Sequence, residues 1–230
     1  QLVQGAAWSV PVVALASATR EVLGIGDLVE RMLVRTADSF DRYNPSRLQE
    51  VSLLEGRVDL LQQEVKLYLS KLGRAGLNME DGGRSAAIID YAINLEHIGD
   101  ILEKSLVPEI AKKGTQGLQF SEEGHAEVKT LFELTQENIR IAQTIFVTRD
   151  FNLARRMMEL KVEVRKMEKQ SAAKHLARLR DGRADSMRTS SLHLDILRDL
   201  KRINAHIVAP AHPILDESGL LIESRLRSAS

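Results

Sequence analysis

Two pairs of carboxylates are the residues of this chain whose type and spacing could do chemistry. Glu55 and Asp59 stand four residues apart within LLEGRVDLL, and Glu96 and Asp100 repeat that spacing within NLEHIGDIL. This spacing places both side chains of a pair on one face of a helix. Two such pairs on facing helices would offer hard oxygen ligands to a divalent cation or to iron. Acidic pairs are also common on solvated helix rims, and the spacing alone leaves both interpretations open.

The surroundings of the two pairs predict that they border a seam between helices. In each motif the glutamate directly follows a leucine of an apolar stripe, and one residue is about 100° of helix rotation. Each motif also contains a glycine, Gly56 or Gly99, which costs a helix about 1 kcal/mol relative to alanine. We therefore expect a facing helix or a bound ion to approach both glycines closely.

The elements that must position these side chains are helices. Apolar residues recur at steps of three and four almost throughout, and no segment shows sustained strand-like alternation. The fourth stripe, formed by Leu131, Leu134, Ile141 and Ile145, is less clean than the others. Turn residues such as Asn44-Pro45-Ser46 separate the stripes, and Ser121 is a good helix cap. The pattern predicts an all-α chain with six long helices, at roughly 9–42, 46–74, 80–112, 121–148, 150–181 and 185–209.

An internal repeat predicts how these helices are grouped. Under a shift of about 105 residues, DYAINLEHI at 90–98 meets DILRDLKRI at 195–203, and YLSKL at 68–72 has a counterpart in HLARL at 175–179. Three helices followed by three similar helices indicate two three-helix repeats, 1–115 and 116–230. Chance similarity between amphipathic helices is the alternative.

Composition excludes several classes of function. Lys plus Arg equals Asp plus Glu at 32 each, which gives no general attraction to nucleic acid, and there is no cysteine for a disulfide or thiolate site. The basic segment KHLARLRDGR at 174–183 lacks aromatics and is interpreted as a solvated helix end. No apolar run reaches the roughly 20 residues that a bilayer needs. Because the chain opens on Gln1, we expect it to be a piece of something longer.

The string NLEHIGDILEKSL at 94–106 resembles the third-helix signature of PhoU proteins, whose core is a Glu, an Ile-Gly pair and an Asp. VPVVALASATREVLGIGDLVERML at 10–33 and SSLHLDILRDLKRINAHIVAPAHPIL at 190–215 resemble the ends of the C-terminal domain of bacterial sodium/phosphate cotransporter family proteins. The resemblance implies a PhoU-like fold of two pseudo-repeated three-helix bundles with six long antiparallel helices. It also implies a cytoplasmic domain at the inner membrane that regulates phosphate transport and is not an enzyme. Its partners would be the transmembrane domain of the same transporter and a signalling protein, with phosphate acting indirectly.

The resemblance also implies a metal site, because PhoU repeats can bind metal through Glu-x-x-x-Asp pairs on their second and third helices. Carried onto this chain, the ligands are Glu55, Asp59, Glu96 and Asp100, and the cofactor is a divalent cation or iron.

The second repeat departs from that pattern at all four ligand positions. The matching residues are Val162, Lys166, Lys201 and Ala205. A protonated lysine cannot ligate a cation. We expect no equivalent cluster there, and we expect the two lysines to pair with carboxylates such as Glu163 and Asp199 or to bind an anion.

Three functions follow as competing hypotheses. The first is a non-catalytic regulatory module coupled to phosphate uptake. The second is a carboxylate-bridged metalloenzyme, although no nucleophile with an adjacent base, phosphate loop or dinucleotide fingerprint is visible in the sequence. The third is a purely structural domain that forms a homodimer.

Overall fold

The computed structural model describes residues 11–217 and 219. Within them the chain is all-helical and contains no strand, as the sequence predicts. The helices are α1 (Pro11–Asp41), α2 (Pro45–Arg74), α3 (Met79–Ile101), α4 (Val107–Thr115), α5 (Glu122–Thr148), α6 (Phe151–Arg180) and α7 (Ala184–Val208). Residues 9–10 of the first predicted helix lie outside the described residues.

Local chemistry sets where the helices begin and end. The side chain of Asn44 accepts hydrogen bonds from the first backbone amides of α2, and Ser121 accepts from Gly124 at the start of α5. Arg149 adopts a left-handed conformation with φ 53° after α5, and Gly182 does so with φ 73° after α6. Glycine reaches that conformation without strain. Arg149, which is not a glycine, donates its backbone N–H to the carbonyl oxygen of Ile145, and this hydrogen bond closes α5.

The chain divides into two compact units, Gln1–Thr115 and Gln116–Ser230. In the first unit α1, α2 and α3 pack on one another around fully buried residues such as Val22, Val58 and Leu95. In the second unit α5, α6 and α7 do the same around residues such as Phe132, Met157 and Ile203. Each buried side chain of this size contributes about 1.5–3 kcal/mol, so each unit has a core of its own.

The third predicted helix is not a regular α-helix over its whole length. A π-helical turn spans Leu102–Leu106 and joins α3 to α4. Pro108 follows this turn, and a proline cannot donate a backbone hydrogen bond and crowds the carbonyl four residues before it. Widening the helix just before Pro108 accommodates that residue and keeps Leu102 and Leu106 in the core.

None of the described helices is both long and apolar enough to cross a membrane.

Candidate metal centre

The structure brings three of the four expected ligands together on the seam between α2 and α3. Glu55, Glu96 and Asp100 each offer a carboxylate oxygen, and these oxygens all lie within 4.8 Å of one another. All three side chains are half-buried. Hard oxygen atoms at this separation can bind one cation, and two helices would then be cross-linked through it.

Asp59 does not join this group. Its two carboxylate oxygens accept hydrogen bonds from the Gln63 amide at 3.4 and 3.3 Å, four residues further along α2. The placement of Asp59 as a direct ligand stays a prediction, since binding would require its carboxylate to release Gln63 and turn toward Glu55.

Burial and the neighbouring negative charges raise the pKa values of the two glutamates. Burial raises the pKa of Glu55 to about 6, with further contributions from the negative charges of Asp100, Glu103 and Asp59. Burial likewise raises the pKa of Glu96, and its hydrogen bond and charge repulsion with Asp100 add to the effect. Both shifts mean that the folded protein resists full ionisation of the cluster, which a bound cation would relieve.

One cation of the protein itself lies beside the cluster. The Lys104 ammonium is 3.2 Å from Asp100, and this contact raises the pKa of the lysine. Lys104 belongs to the π-helical turn, and such turns are frequent at functional sites. Its side chain is 68% exposed, so the ammonium can leave Asp100 for solvent.

The two glycines of the motifs have different surroundings. A Cβ at Gly99 would lie 3.6 Å from Met32 and 3.8 Å from Val58, so side chains of neighbouring helices lie next to Gly99 but at an ordinary contact distance that leaves room for a Cβ. A Cβ at Gly56 would meet nothing within 4 Å. The expectation of a close neighbour is therefore wrong for Gly56 within this chain, because that residue lies on the exposed side of α2.

The second unit does not reproduce this carboxylate group among residues 116–217 and 219. Val162 is 54% exposed, and Lys166 and Ala205 are exposed as well. Lys201 pairs with a carboxylate, as expected, but its partner at 3.7 Å is Glu168 and not the suggested Asp199. Asp199 instead accepts a hydrogen bond from Arg202 at 3.0 Å.

A buried polar network in the second unit was missed by the sequence analysis. Glu127 on α5 accepts from Ser171 at 2.6 Å and from Arg178 at 3.3 Å, both on α6. The rings of His175 and His193 stack with centroids 4.5 Å apart, and both side chains are 1% exposed. The interpretation of 174–183 as a solvated helix end is therefore wrong for His175 and Arg178. Helical spacing could have indicated this, because His175 and Arg178 stand four and seven residues after Ser171 and so share one face of α6.

A cavity of about 250 Å³ opens beside this network. Its lining comes from α5, α6 and α7 and includes the side chains of Thr130, Glu127, Lys174 and Leu197. The cavity lies in the second unit, and the three-carboxylate group lies in the first.

Comparisons with known proteins identify the family. The sequence model of the PhoU domain matches residues 22–105 and 128–212, one segment in each compact unit. A Salmonella typhimurium protein named "Putative inorganic phosphate export protein YjbB" is 35% identical over 208 residues, which are 90% of this chain and 38% of that protein. The Escherichia coli K12 protein of the same name is 33% identical over the same shares. The chain thus spans well under half the length of these curated relatives.

Solved structures agree on the fold. PhoU from Pseudomonas aeruginosa superposes with a TM-score of 0.79 at 20% identity, covering 87% of this chain and 95% of that one. The phosphate transport system regulatory protein PhoU from Streptococcus pneumoniae also gives 0.79, at 14% identity, covering 89% and 95%. With the domain match in both units and the helical architecture in agreement, the chain belongs to the PhoU family.

Proposed function

We propose that this chain is a non-catalytic regulatory domain that acts on a phosphate-transporting membrane protein. The observation that carries the proposal is the domain match in both units, taken with relatives at 35% identity that are named for phosphate export. The aligned region is only 38% of such a relative, so the remainder of a comparable full-length protein would hold the transport machinery. The resemblance to sodium/phosphate cotransporters makes sodium the proposed coupling ion.

The proposed partner is the transmembrane part of the same transporter, and the proposed location is the cytoplasmic face of the inner membrane. A two-unit helical domain offers long rigid faces on which a transporter or a signalling protein can dock. Phosphate status would then be read indirectly, through the strength of that docking.

The carboxylate group gives this regulation a proposed chemical input. Burial raises the pKa values of Glu55 on α2 and Glu96 on α3, and the neighbouring Asp100 raises both further. These residues fit a divalent cation or iron, because three carboxylate oxygen donors converge within 4.8 Å and one ammonium, that of Lys104, lies beside them. A bound cation would neutralise the repulsion and fix α2 against α3. Phosphate could occupy coordination positions that the protein leaves open.

Calorimetric titration of Mn²⁺ and Fe²⁺ into metal-free chain tests this input. We expect saturable binding that Glu96→Gln weakens strongly and that Lys104→Gln strengthens, because the latter removes the competing ammonium from Asp100. Glu133→Gln, at an exposed position of α5, is the matched control for loss of one charge. Binding that is unchanged in Glu96→Gln would refute the metal input. Redox-active iron with oxygen-dependent turnover would instead favour the metalloenzyme.

Phosphate flux tests the regulatory role. Cells lacking their own transporters would express the complete gene product in which this chain occurs, either intact or without residues 11–217. We expect the truncated protein to reach the membrane in comparable amounts and to transport phosphate with an altered dependence on phosphate supply. Identical flux and abundance with and without the domain would overturn the proposal.

A further inference from the structure

Positive charge is concentrated on one helix of the second unit, although Lys plus Arg equals Asp plus Glu over the whole chain. Helix α6 holds nine Lys and Arg against three Glu. Helix α2 has the same place in the first repeat and the same length of 30 residues, and it holds five basic against four acidic residues. The excess on α6 is therefore not a requirement of the repeat.

Much of this charge lies on the outer face of α6, on the side away from buried residues such as Val164 and Ser171. The residues of this face recur at steps of three and four, with one further cation at their side, so they share one side of the helix. All seven are exposed, and we call them the basic face: Val162, Arg165, Lys166, Lys169, Ala173, Leu176 and Arg180. The face is about 27 Å long.

The four cations of the basic face have no carboxylate partner among the residues that the structure describes. The three glutamates of α6 lie beside other basic residues. Arg156 lies 3.3 Å from Glu159 and 3.6 Å from Glu163, and Lys201 of α7 lies 3.7 Å from Glu168. Like charges at this spacing repel one another, so an anionic surface placed against the basic face would remove an unfavourable interaction.

Apolar side chains stand between the cations. Val162 is 54% exposed and Leu176 is 50% exposed. Leu176 also lines a shallow depression together with Ala173, Leu179 and Arg180. Cations alternating with exposed apolar side chains are typical of helices that lie in the headgroup region of a membrane, where the apolar groups reach the acyl boundary.

We propose that the basic face of α6 docks on a membrane surface that contains anionic phospholipid. Its cations are spread along a line and do not converge on one point, which suits lipids that can move laterally to meet each charge. The face offers no aromatic ring on which a nucleic-acid base could stack. This inference goes beyond the proposed function and stands without it, since docking is a property of the chain itself.

The number of cations determines the strength of docking. Each Lys or Arg close to an anionic surface strengthens binding about fivefold, so four of them supply on the order of several hundredfold. The attraction is screened by salt, because the Debye length falls from about 10 Å at 0.1 M to about 3 Å at 1 M. Docking is therefore reversible and sensitive to ionic strength.

Cosedimentation of the 230-residue chain with phospholipid vesicles measures docking directly. We expect the chain to bind vesicles of one part phosphatidylglycerol to two parts phosphatidylcholine, and to leave them when the salt is raised to about 1 M. Vesicles of phosphatidylcholine alone should not bind it. A chain that ignores the anionic vesicles, or binds both compositions equally, overturns the proposal.

Paired charge removals test whether α6 carries the binding. The double variant Lys166→Gln with Lys169→Gln should bind anionic vesicles about 25-fold more weakly. The matched control is Lys71→Gln with Arg74→Gln, which removes two exposed charges from α2 and should leave binding unchanged. All four positions are exposed, and circular dichroism checks that both variants fold. Equal weakening in the two variants means that binding follows net charge and refutes the basic face.

A fluorescent probe reports where the chain touches the lipid. The chain has no cysteine, so Leu176→Cys can carry a single environment-sensitive nitrobenzoxadiazole label. Its emission should brighten and shift to the blue on anionic vesicles, while the same label at Met79→Cys, a 94% exposed position of α3, should not respond. Unchanged emission at position 176 in vesicle-bound protein rules out docking through this face.

Competition separates the lipid surface from other anions. Millimolar inorganic phosphate at constant ionic strength should not displace the chain from the anionic vesicles. Displacement would show that the basic face binds free phosphate, and tighter binding to duplex DNA than to vesicles of equal charge would show that it binds nucleic acid. Either result refutes a membrane as the partner.

Discussion

Replacing Glu55 by glutamine should stabilise the metal-free protein at neutral pH, although it removes an ionisable side chain from the candidate site. Glu55 lies on α2 at the seam with α3. Burial, together with the negative charges of Asp100, Glu103 and Asp59, raises its pKa to about 6. A carboxyl whose pKa is higher in the folded than in the unfolded protein favours folding while it is protonated. That contribution is complete below about pH 4.5 and is lost as the pH rises through about 6.

The size of the effect follows from the same shift. A pKa of about 6 against an ordinary value of 4.5 corresponds to about 2 kcal/mol between the protonation states. Glu55 is only partly buried, so solvent screening reduces the expected gain to about 1 kcal/mol. For a chain of this size, that gain raises the melting temperature by about 2–4 °C.

The assay is thermal and urea unfolding of metal-free protein between pH 4 and 8. We expect the wild type to lose stability relative to Glu55→Gln between about pH 4.5 and 6, and the difference to level off above that range. Glu133→Gln, exposed on α5, should show no such pH-dependent difference. Adding Mn²⁺ should reverse the order, because the cation stabilises the wild type through the full carboxylate group.

Two results would refute the reasoning. If Glu55→Gln is less stable than the wild type at pH 7 without metal, the carboxylates do not repel one another in the folded protein. If the stability difference is the same at pH 4 and pH 7, then Glu55 does not titrate in that range.

Three further predictions concern residues outside the cluster. Burial lowers the pKa of His193 to about 3, so the stability of the wild type should fall as the pH drops below about 6.5. The variant His193→Phe keeps an aromatic ring against Phe120 but cannot take up a proton, so its acid unfolding should be less steep. Asn204→Ala removes the hydrogen bond from Asn138 at 2.9 Å and should destabilise the protein by about 2 kcal/mol in urea unfolding, with Asn204→Asp less harmful at low pH. Gly56→Ala should stabilise the protein by up to about 1 kcal/mol in urea unfolding, because a Cβ there has free space.

Much of the fold could be predicted because the apolar stripes coincide with the core. In α1 the stripe residues are fully buried, and the turn at Asn44 is where the first helix gives way to the second. The less regular fourth stripe has a physical explanation. Thr135 and Asn138 occupy fully buried positions of α5, where a sequence analysis expects apolar side chains. Asn138 donates to Asn204 on α7, and Asn204 donates to Thr135, so the amide nitrogens of both side chains are paired inside the core.

The candidate site could be predicted in part. Helical spacing and the adjoining leucines were enough to place Glu55, Glu96 and Asp100 on facing helices, and the structure brings them within 4.8 Å. Spacing also places Gln63 within reach of Asp59 on the same face of α2, but it could not decide whether Asp59 would bind Gln63 or join the other carboxylates. Nor could it predict that Lys201 would reach Glu168 on α6, since that choice depends on how α6 and α7 are rotated about their own axes. Pairings of long side chains across helices need coordinates.

The π-helical turn has a consequence for chain length. A π turn holds one residue more than an α turn, so the segment Leu102–Leu106 stores a single surplus residue between the acidic motif and Pro108. Deleting one residue inside that segment would let a regular α-helix form there and would leave Glu96 and Asp100 in place. Everything beyond it, including the buried Ile110, would keep the same side toward the core, because the widened turn is what absorbs the surplus residue. A one-residue deletion in the regular part of α3 would instead rotate the residues beyond it by about 100° around the helix axis.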